Sequence, residues 1–130
     1  MNDKKTVLSM RKPRAQHWYY IAVGRSKFNI SLTANTQSKR LGCEIYIRGQ
    51  QAKQAFKLLQ NDKEKIESEI GESLNWQELP DGQDCRIVIF TDGDIRNKEN
   101  WQEYLKWFWE HAEKFHKVFS ERIKKLTLVD

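Results

Sequence analysis

Alternating apolar and polar residues predict strands in the first half of the chain. Residues 27–33 and 40–48 alternate with a period of two, and residues 17–23 are aromatic and β-branched, as strands prefer. The turn Gly24-Arg25-Ser26 would join the first two strands as a hairpin. The apolar positions of the two alternating strands, which would share one face of a sheet, are Phe28, Ile30, Leu32, Leu41, Cys43, Ile45 and Ile47.

Two stretches have helical periodicity instead. Residues 50–70 carry an apolar stripe with a period of 3.6, and Gly71 stands where a C-terminal cap belongs. Residues 98–126, with Asn97 as the expected N-cap, give the strongest periodic signal in the chain. The stripe of this second helix consists of Trp101, Leu105, Phe108, Ala112, Phe115, Phe119, Ile123 and Leu126.

Strands at residues 73–79 and 85–90, separated by a Pro80-Asp81-Gly82 turn, complete the order β-β-β-α-β-β-α. This order predicts a two-layer α+β fold with a five-stranded antiparallel sheet and both helices packed on one face. The globular domain would span residues 15–130. Residues 1–14 would be a basic lead-in arm, either flexible or the stub of an upstream region. The prediction leaves one set of polar strand residues exposed or facing a partner: Asn29, Ser31, Arg40, Tyr46 and Arg48.

Composition narrows the class of protein. With 38% hydrophobic residues the chain has a core, but its longest apolar run, residues 18–23, is far shorter than the roughly 20 residues that cross a bilayer. The first residues are polar and basic, unlike a signal peptide, and two cysteines are too few for a disulfide scaffold. We therefore expect a cytoplasmic protein without membrane partners.

The chain lacks the motifs of the common catalytic and metal sites. There is no zinc-type cysteine spacing, P-loop, dinucleotide fingerprint or nucleophile elbow. Pro80-Asp81 resembles the start of a PD-(D/E)xK nuclease motif, but the strand that follows, residues 85–90, contains no acidic residue. We therefore expect no catalytic residue, metal or cofactor, and a metal-dependent nuclease is the least favoured function.

Charge is unevenly distributed and indicates a binding surface. The net charge is +5, yet residues 1–50 contain ten Lys or Arg against only Asp3 and Glu44. Basic side chains mixed with hydroxyl, amide and aromatic groups suit phosphate contacts and base stacking, although an ordinary solvated sheet face has a similar composition. The candidate nucleic-acid-binding residues are Arg25, Ser26, Lys27, Asn29, Ser31, Arg40, Tyr46 and Arg48.

The last helix offers a different function. Besides its stripe it carries Tyr104, Trp107 and Trp109. Large exposed aromatic residues favour interfaces, so these three are candidates for a protein–protein or homodimer contact. The alternative is that a wide apolar stripe buries them in the core.

Several motifs, in order along residues 11–126, resemble a bacterial and archaeal family known as domain of unknown function 4268. They are KPRAQHW at 12–18, GRS at 24–26, GCEIYI at 42–47, AKQAF at 52–56, WQELP at 76–80 and FHKVF at 115–119. Members of this family often follow a PD-(D/E)xK nuclease-like region. The resemblance implies a non-catalytic accessory module, contacting nucleic acid or a nuclease-like partner, and it assigns no catalytic residue.

Overall fold

The computed structural model describes residues 17–79 and 82–129, so the predicted lead-in arm and the Pro80-Asp81 part of the predicted turn lie outside it. The strands are β1 (His17–Ala22), β2 (Phe28–Asn35), β3 (Arg40–Ile47), β4 (Asn75–Glu78) and β5 (Cys85–Asp92). The helices are α1 (Ala52–Gln60), α2 (Lys63–Ile70) and α3 (Trp101–Lys124), and a 3-10 turn, Lys98–Asn100, precedes α3.

The five strands form one antiparallel sheet in the order β1-β2-β3-β5-β4. Ile30 pairs with Ile45, which in turn pairs with Ile87, so the apolar positions of the three central strands lie on the same face. The predicted α+β class and five-stranded antiparallel sheet are confirmed. The register follows from the period-two pattern, because a shift of one residue would turn every apolar side chain to the other face.

All three described helices pack on that apolar face. The first helix contacts β3, β4 and β5, whereas α3 contacts β2, β3 and α2. Ile30, Ile45 and Phe115 are each 0% exposed in the layer between sheet and helices. Burial of these side chains is the main source of stability, at about 1.5–3 kcal/mol for each large apolar side chain.

The single helix predicted at residues 50–70 is two helices in the structure, because the helix is interrupted at residues 61–62. The amide of Asp62 donates to the carbonyl oxygen of Leu59, three residues back, instead of continuing the α-helical ladder. Leu59 and Ile66 are seven residues apart, two helical turns, so the apolar stripe stays in phase across the break. The second helix ends as predicted at Gly71, whose φ of 88° is left-handed.

The long C-terminal helix is confirmed, with a later start. The side chain of Asn97 accepts a hydrogen bond from the amide of Glu99, but it caps the 3-10 turn, and the α-helix begins at Trp101. More of this helix is buried than its predicted stripe, because α3 packs on both the sheet and α2. Trp109 is 6% exposed in the core, so the expectation that it forms an exposed interface is wrong.

Candidate nucleic-acid interface

Four of the eight predicted binding residues line one cavity at an end of the sheet. Phe28 at the start of β2 pairs with Ile47 at the end of β3, so the chain segments outside this pair emerge side by side. They enclose an open cavity of about 870 Å³, which we call the basic pocket. Its polar lining consists of Arg25, Ser26, Lys27, Arg48, Gln50, Gln51, Gln54 and Gln83.

Backbone geometry holds two cations of the basic pocket next to each other. The amide of Arg48 donates to the carbonyl oxygen of Lys27 at 2.9 Å, and Lys27 has an unusual φ of 77°. The following residue, Gly49, has φ 95°, a conformation that glycine adopts without strain. Both charged side chains are exposed, and neither forms an ion pair with a residue of the described chain. Their charges are therefore available to an anion.

Arg25 has a different role in the same pocket. Its Nη1 donates to the carbonyl oxygens of Ile123 and Leu126, both at 2.8 Å, where α3 ends. Its guanidinium carbon also lies 5.8 Å from the ring centroid of Phe28. A cation is stabilised at a helix C-terminus, where carbonyl groups have no partner within the helix. Arg25 is thus an anchor between the hairpin and α3.

The walls of the basic pocket include residues that the sequence did not indicate. Gln54 forms two hydrogen bonds with the backbone of Val129, donating to its carbonyl oxygen at 2.9 Å and accepting from its amide at 2.8 Å. This contact folds the C-terminal segment onto α1, so Leu128 and Val129 line the pocket. Gln50 and Gln51 stand where α1 begins, and helix N-termini carry partial positive charge. In the sequence, the glutamine-rich stretch 50–54 was the one feature that could have indicated these polar wall residues.

Asp84 supports the pocket from the second face of the sheet, the face opposite α1, α2 and α3. One carboxylate oxygen accepts the hydroxyl of Tyr46 at 2.6 Å, and the other accepts the amide of Gly49 at 3.2 Å. The hydrogen bond to Asp84 is the main cause that raises the pKa of Tyr46 to about 12. Asp84 thereby fixes the loop after β3, which carries Arg48. The Tyr46 ring, predicted to stack on bases, is half-buried and tied to this contact.

The other predicted residues lie on the second face, apart from the basic pocket. Asn29 and Ser31 are 3% and 0% exposed, so they do not face solvent, and the expectation that they face a partner stays a prediction. They lie on a central strand, and the Asn29 side-chain amide donates to the Ser31 hydroxyl at 2.8 Å. Arg40 is exposed, and its guanidinium lies 3.8 Å from the ring centroid of Phe90.

An ion pair between a buried carboxylate and a partly exposed arginine lies at the centre of the second face. Glu44 is 1% exposed, and one of its carboxylate oxygens is 3.2 Å from Nη1 of Arg86. Arg86 also donates from Nε and Nη2 to the side-chain oxygen of Gln77, at 3.3 and 2.8 Å. A buried carboxylate is costly unless it is paired, so this network fixes the position of Arg86.

The aromatic residues of α3 are used within the chain. The Tyr104 hydroxyl accepts the amide of Asp94 at 3.2 Å, and the Trp107 ring stacks on His111 with centroids 4.2 Å apart. Both residues are partly buried. Trp107 also meets Phe108 edge-on, at 5.6 Å between centroids. These contacts account for the two side chains without a second copy, and a homodimer on this helix stays a prediction.

Two negative observations bear on the site. In the part of the chain that the structure describes, no three His, Cys, Asp or Glu side chains lie close enough together to hold a metal ion. Within the same ranges, 17–79 and 82–129, no helix has the length and apolar character needed to cross a membrane.

The fold defines the class of protein: an α+β domain with an open five-stranded antiparallel sheet. The chain belongs to the family described as domain of unknown function (DUF4268), whose model matches residues 1–123. No curated protein matches it. Its structure is similar to the crystal structure of YbjN from E. coli, described as a candidate transcription regulator, with a TM-score of 0.53 and 11% sequence identity. The match covers 99% of this chain and 93% of YbjN.

Proposed function

We propose that this chain is a non-catalytic module that contacts nucleic acid through the basic pocket. The observation that carries the proposal is the convergence of Lys27 and Arg48 in one open cavity, without acidic partners in the described chain. A lysine provides a compact charge and an arginine a planar donor fork, a combination that suits phosphate oxygens. Four glutamine side chains beside them supply neutral hydrogen-bonding groups.

Two further facts support this proposal. The first 50 residues carry ten Lys or Arg against two acidic residues, an excess that favours a polyanion over a neutral ligand. The family resemblance implies an accessory role beside a nuclease-like partner, and YbjN, described as a candidate transcription regulator, shares the fold. We propose that the partner, a nuclease-like domain or protein, supplies the catalysis.

Fluorescence anisotropy with labelled duplex and single-stranded DNA, at several salt concentrations, tests the proposal. Binding should weaken steeply with salt, because phosphate contacts release counterions. The double variant Lys27→Gln with Arg48→Gln should bind about tenfold more weakly and lower the salt slope by about 2, since each phosphate contact contributes about 0.9 to it. The matched control is Lys106→Gln with Lys117→Gln, two exposed lysines on α3.

The control separates a site from a general charge effect. If both double variants lose the same affinity, then binding depends on net charge alone and the basic pocket is not the site. Absence of binding at low salt, or binding that salt does not change, would contradict nucleic-acid contact altogether.

A further inference from the structure

The centre of the second face is buried to an unexpected degree. Ser31 pairs with Glu44, and Glu44 pairs with Val88, so these three side chains form a row across the central strands. Their exposed fractions are 0%, 1% and 0%. Such values belong to a covered interior, since a sheet face open to water leaves even its central side chains partly accessible.

The helices of the described chain do not account for this burial. The helices α1, α2 and α3 all pack on the opposite face. Arg86 covers part of Glu44, but the side chains beyond the two ends of the row are open to solvent, and Tyr20, which pairs with Ser31 from the edge strand, is 60% exposed. Asn75, which pairs with Val88 at the other side, is also exposed. The burial is confined to the middle of the face, with exposed residues on both sides.

One polar atom on this face also needs a donor. The side-chain oxygen of Asn29 is buried and accepts no hydrogen bond from the described residues. A buried acceptor without a partner costs about 1–3 kcal/mol, so such atoms are rare in folded proteins. A segment that lies over the face and carries N–H donors would satisfy it.

We propose that the second face is a docking surface for the N-terminal segment of the same chain, residues 1–16. This segment leads directly into β1, at the edge of the sheet and one strand away from Ser31. Sixteen residues span about 24 Å even as a helix, whereas the whole sheet, from edge strand β1 to edge strand β4, is about 19 Å wide. The family model begins at residue 1, so the segment belongs to the family's domain.

Charge and composition of the segment fit the surface. It carries one acidic residue, Asp3, against five basic ones: Lys4, Lys5, Arg11, Lys12 and Arg14. The second face carries the buried carboxylate of Glu44, which is paired with Arg86, and Asp84 and Asp92 lie at its two ends. Val7 and Leu8 provide apolar side chains to lie against Val88.

Cysteine labelling in the full-length chain tests the proposal. A thiol at Ser31→Cys should react with a maleimide about tenfold or more slowly than one at Tyr20→Cys, because labelling then requires opening of the cover. Adding Val7→Asp with Leu8→Asp should remove most of this protection. The matched control, Leu58→Asp with Leu79→Asp, changes two exposed leucines and should leave the protection intact. The native thiols, Cys43 and Cys85, are buried on the other face and add little background.

Three results would overturn the proposal. Rapid labelling of Ser31→Cys in the otherwise unchanged chain would show that the face is open. Protection that persists in the Val7→Asp, Leu8→Asp chain would assign the cover to another segment, and protection that disappears on dilution would assign it to a second copy.

Limited trypsin digestion of the unaltered chain is the second measurement, should Ser31→Cys fail to fold. Docking predicts slow cleavage after Arg11 and Arg14 and faster cleavage when Val7 and Leu8 are replaced. Rapid cleavage at both sites in the unaltered chain would contradict it.

Discussion

Replacing Arg25 should destabilise the fold, although the residue lines a pocket proposed for nucleic acid. In Arg25→Ala the carbonyl oxygens of Ile123 and Leu126 lose a charged donor that lies 2.8 Å from each. Hydrogen bonds to a charged group contribute about 1.5–3 kcal/mol each, and a cation at a helix C-terminus adds about 0.3–1 kcal/mol. Water can hydrogen-bond to these carbonyl groups in the variant and so restore part of the lost free energy, because Arg25 is partly exposed.

We therefore expect the free energy of unfolding to fall by about 2 kcal/mol in Arg25→Ala. For a chain of this size that corresponds to a decrease in melting temperature of roughly 8 °C, at about 4 °C per kcal/mol. Urea unfolding and thermal unfolding, both followed by circular dichroism, give the two numbers. Arg48→Gln is the control, since its exposed side chain makes no such contact, and we expect it to stay within about 0.5 kcal/mol of the original chain.

Arg25→Lys tests the physical reason. A lysine keeps the charge but lacks the planar fork that places Nη1 between two carbonyl groups, so it should recover only part of the stability. If Arg25→Ala unfolds like the original chain while DNA binding falls, then Arg25 is a ligand contact and not an anchor, and the assignment is wrong.

Three further predictions concern the core and the second face. Phe115→Ala, at a side chain that is 0% exposed, should cost about 3–5 kcal/mol of unfolding free energy in the same urea experiment. Burial raises the pKa of the Cys43 and Cys85 thiols, so neither should react with Ellman's reagent in the folded chain, and both should react in denaturant; rapid reaction in the folded state would contradict the described packing. Since the hydrogen bond to Asp84 raises the pKa of Tyr46 to about 12 from about 10 in an unfolded chain, its stabilising effect is complete below pH 10 and is lost as the pH rises to 12. Tyrosinate absorbance near pH 12 should lose a late-titrating component in Tyr46→Phe, and the stability of Tyr46→Phe should fall less between those two pH values.

The sheet could be predicted from sequence because its signal is local and redundant. Phe28, Ile30 and Leu32 alternate with polar residues, and a strand that is buried on one face tolerates no other register. The helix break at residues 61–62 could not be predicted in this way. Leu59 and Ile66 keep the helical phase across it, so the periodicity of one long helix and of two short ones is the same.

The basic pocket was predictable only in part. Lys27 and Arg48 flank strands that pair as an antiparallel hairpin, so their proximity follows from the pattern. Gln83 and Val129 come from distant parts of the chain, and no local signal indicates where the C-terminal segment returns. The burial of Ser31 also could not be predicted from the sequence. Alternation assigns its side chain to one face of the sheet, but it does not indicate what covers that face.

The distribution of acidic groups explains why nucleic acid should meet the end of the sheet and not its second face. Glu44 is fixed at the centre of that face as a buried carboxylate, and Asp92 lies at the far end of the same face, opposite Arg40. On this surface the charge of Arg86 is already paired with Glu44, so a phosphate would gain less there than beside Lys27 and Arg48. Beside the basic pocket, the carboxylate of Asp84 already accepts the Tyr46 hydroxyl and the Gly49 amide. Under the proposed function, Lys27 and Arg48, which have no ion-pair partner among residues 17–79 and 82–129, would contact an incoming phosphate, and stacking by Tyr46 would not be required.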